Sequence, residues 1–169
     1  MIHCFYIVEA EAGTEDVKGR ILVANVIMNR IKNKEFPDTV TEVVWQNTNG
    51  VPQFSPTYDG RINEVTVTDE TREAVRQALE GVDYSEGALF FIQKSEAESQ
   101  NVSWFEKDLK RLFKYGVHEF YTYPDSAESP QDRNKRYSSY NSFNRIAVIL
   151  LKIWTYSSGT KEYVHIFDL

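Results

Sequence analysis

Apolar and polar positions change period several times along the chain, and each change predicts an element. Cys4, Ile7, Val8 and Glu11 recur at i, i+3, i+4 and i+7, which predicts a short helix over 2–12 with Glu11 on the face of three apolar side chains. Glu9 falls nearly opposite, and Gly13 is a natural stop. Thr14 is placed to cap a second helix, with Glu15 and Asp16 in its first turn. That helix, over 15–32, carries Val17, Ile21, Ala24, Met28 and Ile31 on one stripe, widened by Val23 and Ile27. A band so broad predicts the central, mostly buried helix of the fold.

"TVTE" (39–42) has the pattern of a capping box ahead of Val43, Val44 and Trp45, so a short helix is expected there. The next stretch, "NTNGVPQFSPTYDGRINEV", contains Gly50, Pro52, Pro56 and Gly60 and reads as too broken for a regular element. A loop of that length inside a compact domain is usually functional or disordered, and its Phe54 and Tyr58 favour function. Thr68 caps a helix over 69–80 with Ala74, Val75, Ala78 and Leu79 inward and Gly81 as its stop. "ALFFI" (88–92) reads as a buried strand, and "LKRLFKYGVHEFYTY" (109–123) as a hairpin about Tyr115 and Gly116. Three antiparallel strands beside a helical body is an α+β plan. After Pro124 the chain turns polar and rich in turn residues, like a linker or tail, with one more helix expected over 145–156. The expected division is a domain over 1–124 and an unassigned segment over 125–169.

Composition narrows the function. At 169 residues, 41% hydrophobic and 14% aromatic, the chain is long and apolar enough for one globular core. A formal net charge of -6 argues against a general nucleic-acid binder, which needs clustered Lys and Arg. One cysteine, Cys4, allows no internal disulfide and no cysteine-based zinc site, and His3, His118 and His165 show no metal-binding spacing. No secretory leader is visible, because no basic segment or cleavage site accompanies the first apolar residues. The longest apolar run, "IAVILLKIW" (146–154), is too short to span a bilayer.

Glu11 is the residue that calls for chemistry. A glutamate in the last turn of a helix faces the negative end of the helix dipole, and apolar surroundings add desolvation. Both favour the neutral acid, which is the state a general acid needs near neutral pH. The plainer reading is a helix-end glutamate in solvent. By the same test Glu9, Glu15 and Asp16 read as surface charges.

The stretches "IVEAEAGTEDVKGRILVANVIMNRI", "QFSPTYDGRIN", "ALFFI" and a Trp followed by "GVHEFY" resemble, in order, the successive motifs of the SleB/CwlJ family of cell-wall hydrolases. These are the spore-cortex-lytic enzymes and their relatives in other bacteria, and the likeness runs from about Phe5 to Tyr123. The resemblance implies a lysozyme-like, lytic-transglycosylase-like helical body with a small sheet. It implies cleavage of peptidoglycan glycan strands, no required metal or cofactor, and a place in the cell wall or spore envelope. The family's catalytic glutamate falls on Glu11. As the acid it would protonate the glycosidic oxygen leaving C1 of N-acetylmuramic acid, and as a carboxylate it would take a proton from that sugar's 6-hydroxyl, closing a 1,6-anhydro ring. Attack by water instead usually wants a second carboxylate, for which Asp59 is the local candidate.

The same resemblance suggests that Gln53 and Ser55 line the cleft, or else hold their loop. Tyr58 is a candidate to stack on sugar faces, while Phe54 serves there or as a core plug. Phe90 and Phe91 alternate across their strand, so one, taken as Phe91, is expected at the cleft. Trp104 is a substrate platform or a lid over the core. Asn29 is expected to orient Glu11 or to cap its helix, and His118 to support the hairpin as a buried histidine. Family members usually carry an export signal ahead of this domain, which leaves a truncated chain or another export route as the expectation here. Two competing expectations are an amidase cutting the peptide stem, for which Cys4 and His118 would be the thiol pair, and a non-catalytic wall-binding relative. A thiol in an apolar helix is normally inert.

Overall fold

The computed structural model describes residues 1–48 and 51–124. The expected helix over 145–156 and the segment 125–169 lie outside the described residues. Helix α1 (Ile2–Ala12) leads into α2 (Val17–Lys32), followed by the short α3 (Val40–Val44). A two-residue ribbon, β1 (Asn47–Thr48) and β2 (Val51–Pro52), comes next. Then follow α4 (Pro56–Asp59), a 3-10 turn at Arg61–Asn63 and α5 (Asp69–Leu79). Strand β3 (Phe90–Ile92), α6 (Ser99–Asp108), β4 (Lys110–Tyr115) and β5 (His118–Thr122) complete the order. The strands form one antiparallel sheet in the order β3-β5-β4, so the fold is α+β with a helical body and a small three-stranded sheet.

The broad stripe on α2 has the expected consequence. Residues 19 to 28 of α2 are all buried, and α1, α3 and α5 pack around it. Its last partner is the sheet: Leu22 and Val26 meet Ala88 and Phe120, which joins the helical core to the strands. Burial of this kind is the main source of stability, at about 25 cal/mol per Å² of apolar surface removed from water.

The caps explain where elements begin. Thr39 accepts the Glu42 N–H at 3.2 Å, so it caps α3 as expected, but the Glu42 carboxylate accepts the Thr39 hydroxyl at 2.6 Å and not its backbone N–H, so the box is only half formed. Thr68 accepts the Thr71 N–H and caps α5. The cap of α2 differs from expectation. Asp16, not Thr14, accepts the Gly19 N–H at 2.8 Å. The Glu15 N–H bonds back to the Ala12 carbonyl at 2.9 Å, which extends the turn beyond α1 and delays the new helix.

Two further differences have simple causes. The stretch after Asn47 holds regular elements after all, but each is only two to four residues long, too short to show a period. Helix α6 was not expected, because none of its residues is fully buried and its apolar positions form no core stripe. Its Val102 and Phe105 lean on a second cluster built from Leu89, Phe90, Ile92, Leu109 and Tyr121.

The β4–β5 turn is fastened to the start of α2. Gly116 has φ +55°, a strained value for any other residue, and a Cβ there would push the Glu15 carboxylate aside. Glu15 Oε1 accepts the Val117 N–H at 3.0 Å, and Asp16 Oδ2 accepts the Tyr115 hydroxyl at 2.7 Å. The two acids expected as surface charges are therefore the clasp between hairpin and helix.

Candidate active site

Cys4, Ile7 and Val8 point α1 into the core, and Glu11 follows them on the same face, where the helix runs out. Glu11 is partly buried, and no side-chain hydrogen bond to it forms among the described residues. Its carboxyl is pushed up to about 7. Desolvation is the main cause; the Arg61 charge opposes it, Asp59 adds to it, and Arg30 opposes it. The group is thus poised between acid and base near neutral pH.

Glu9 behaves differently. The Thr68 N–H and hydroxyl both donate to Glu9 Oε2 at 2.8 Å, which places it at the start of α5 instead of in solvent. Burial pushes its proton affinity up, but bonds from Thr68 and Thr71 and the charge of Arg20 outweigh this and hold it below the usual range. Arg20 itself is buried and ties Thr68, Thr71 and the Gly13 and Glu15 carbonyls together. The end of α1 is rigidly placed by that network.

The segment 53–61 supplies the neighbours of Glu11, and both α4 and the 3-10 turn touch α1. Gly60 at φ +87° reverses the chain so that Asp59 and Arg61 face each other. Arg61 donates from its backbone N to Asp59 Oδ1 at 3.0 Å and from Nε to Oδ2 at 2.8 Å. Its Nη2 donates to the exposed Ser55 hydroxyl at 3.2 Å, and its Nη1 to the Ala10 carbonyl at 3.4 Å. Both Asp59 oxygens are engaged. Burial nudges its proton affinity up, but the Arg61 bonds and charge prevail and keep it ionised.

Gln53 is half-buried, with its N–H on the Gln46 carbonyl at 3.0 Å. Tyr58 is 82% exposed and stands clear of the core. Phe54 is buried and serves as a core plug. It meets Phe91 at 6.1 Å between ring centroids, and Phe91 meets His118 at 5.0 Å and Phe120 at 6.1 Å. Phe91 is partly exposed whereas Phe90 is buried, so the strand does split its two rings between two environments. Burial keeps the His118 imidazole below its ordinary value, against the pull of Glu15 and Glu96. Its Nδ1 lies 3.9 Å from Glu15 Oε1.

Two expected positions fall elsewhere. Asn29 uses its amide nitrogen on the Ser85 hydroxyl at 2.8 Å and the Ala88 carbonyl at 2.9 Å. It fastens the approach to β3; neither bond goes to Glu11. Trp104 is on α6, with its ring 5.6 Å from Phe90 and 5.2 Å from Phe105. It caps the second aromatic cluster with 43% of its surface exposed. The thiol pair also loses its chemistry, since burial pushes the Cys4 thiol up to about 12 and leaves no thiolate at neutral pH.

Sequence reasoning missed the two arginines. Arg30 is buried at the end of α2, with Nε on the Leu89 carbonyl at 2.7 Å and its guanidinium carbon 4.9 Å from the Phe54 ring centroid and 5.4 Å from that of Phe90. The only advance signal was a cation flanking the apolar stripe of α2. Arg61 could have been read from "DGR", where a glycine lets an acid and a base two residues apart turn toward each other.

Among the described residues, no three His, Cys, Asp or Glu side chains gather to hold a metal ion, and no helix is long and apolar enough to cross a membrane.

The Cell Wall Hydrolase family profile matches residues 14–121, a span that starts just after Glu11. A spore cortex-lytic enzyme of Oceanobacillus iheyensis is 35% identical over 109 residues, covering 64% of this chain and 37% of that protein. That of Bacillus subtilis is 32% identical over 108 residues, covering 64% and 33%. The chain therefore spans about a third of the length of these relatives. Among solved structures, the catalytic domain of the germination-specific lytic transglycosylase SleB from Bacillus anthracis superposes with a TM-score of 0.60 at 29% identity, covering 72% of this chain and 93% of that one. The Bacillus cereus SleB catalytic domain gives 0.58 at 29% identity, covering 72% and 88%.

Proposed function

Given that the chain belongs to the Cell Wall Hydrolase family, we propose that it cleaves peptidoglycan glycan strands with Glu11 as general acid and then general base. The observation that carries this reading is the state of Glu11: a carboxyl held at about 7 by desolvation, at the end of a helix, with no side-chain hydrogen bond among the described residues. Glu11 protonates the glycosidic oxygen leaving C1 of N-acetylmuramic acid, and positive charge develops at that carbon. The resulting carboxylate accepts the proton of the same sugar's 6-hydroxyl, whose oxygen closes onto C1 as a 1,6-anhydro ring.

Ring closure is favoured over attack by water for a structural reason. Hydrolysis usually needs a second carboxylate to activate water or bond to the sugar. Asp59 is the near candidate, and Arg61 engages both of its oxygens. One carboxyl serving twice needs no partner. Gln53, Ser55, Tyr58 and Phe91 line the substrate path on this reading, with Trp104 as a more distant sugar platform and His118 and Asn29 as supports. The unit responsible is the domain over 1–124. The names of the relatives support the cell wall or spore envelope as its site of action.

The test is product analysis. The protein and its Glu11→Gln variant are incubated with peptidoglycan and the products are weighed by mass spectrometry. Anhydro-muropeptides from the wild type alone are expected. Equal release by both proteins would overturn the reading, and binding without release would replace it with a wall-binding role.

A further inference from the structure

We propose that Arg61, braced by Asp59 and Ser55, is a positioning residue that holds the Glu11 carboxylate once its proton has passed to the sugar. The inference rests on the role given to Glu11 above, and goes beyond it by assigning the partner that steadies the anion left between the two proton transfers.

The geometry is built for this. The last carbonyls of a helix have no partner within it. In α1 the Glu9 carbonyl takes the Gly13 N–H and the Ala12 carbonyl takes the Glu15 N–H. The Ala10 carbonyl, one residue before Glu11, takes Arg61 Nη1. The guanidinium therefore completes the end of the helix that carries the acid. Asp59 grips it from a second side and Ser55 from a third, so its plane is fixed while half of the side chain remains exposed. A rigid fork costs little further ordering when charge appears beside it.

Every charge acting on Glu11 has a place in this scheme. Arg61, on the 3-10 turn, favours the carboxylate most strongly; Asp59, on α4, favours the acid; Arg30, on α2, favours the carboxylate more weakly. Asp59 thus does two opposed things, bracing the cation and moderating it. Once a glycan strand covers the site and displaces water, the Arg61–Glu11 attraction strengthens, at the moment Glu11 becomes an anion. A mere surface brace for α4 would have no such link to the proton on Glu11.

The experiment compares the pH profile of anhydro-muropeptide release by wild type, Arg61→Gln, Arg61→Lys and Asp59→Asn, with thermal melting as a check on folding. Loss of the cation should carry the alkaline limb of Arg61→Gln upward by about half a pH unit or more and lower its maximal rate. Arg61→Lys should return the limb toward that of the wild type while keeping part of the rate defect, since Lys lacks the fork. Asp59→Asn should carry the limb downward, and it decides the matter if Arg61→Gln does not fold. Profiles that superpose in pH, whatever their height, would overturn the inference. That failure is distinct from failure of the function itself, which would appear as activity surviving in Glu11→Gln.

Discussion

Thr68 binds Glu9 through both its backbone N–H and its hydroxyl, each at 2.8 Å, and so removes the first of two neighbouring α1 carboxylates from chemistry. Glu11, two residues on, receives no such bond among the described residues and stays close to neutrality. The same helix end presents one acid that is a structural tie and one that is a proton reservoir. What separates them is the partner each meets across the fold.

If protonated Glu11 is the reactive form, the rate should fall as pH rises through about 7. The check is the initial rate of anhydro-muropeptide release across about pH 5 to 9, at saturating substrate.

The same group should cost stability at high pH. Its folded proton affinity lies above the ordinary glutamate value of 4.5, so its contribution is fully present below that pH and is lost as pH rises through about 7. Glu11→Gln, which cannot ionise, should therefore be more stable than wild type above neutrality, by roughly 1–3 kcal/mol, with the difference shrinking toward pH ~4. Denaturant melts at the two pH values measure it.

Gly116→Ala should destabilise the fold by about 1–3 kcal/mol, because φ +55° strains an alanine and its Cβ meets the Glu15 carboxylate. Combined with Glu15→Ala, the loss should be less than the sum of the two, since both act on one contact. Thermal melts of the four proteins in the cycle provide the values.

Tyr58→Ala should raise KM for glycan strands while changing stability by less than about 0.5 kcal/mol, since the ring is 82% exposed. Trp104→Ala should differ by also lowering stability, on the order of 1 kcal/mol, because its ring packs on Phe90 and Phe105. Kinetics and melting of both variants separate a sugar platform from a core lid.

The sequence by itself determined what depends on residues within about one helical turn of each other. The wide stripe of α2, the Thr39 and Thr68 caps, the Gly116 hairpin and the place of Glu11 on the apolar face of α1 were all legible there. Even the error over Thr14 was local, since a turn carried on past α1 moved the cap to Asp16. Only the tertiary structure decided what each polar side chain would meet. Glu9 finds Thr68, Glu15 finds Val117, Asn29 finds Ala88 and Arg61 finds Ala10, each more than fifty positions away in the chain. A hydrogen bond or a desolvating neighbour at that separation leaves no periodic trace, because its formation depends on packing of whole elements and not on spacing along one of them. The proton affinity of Glu11 belongs to this second class: the spacing of α1 aims the side chain, and the surrounding fold removes the water.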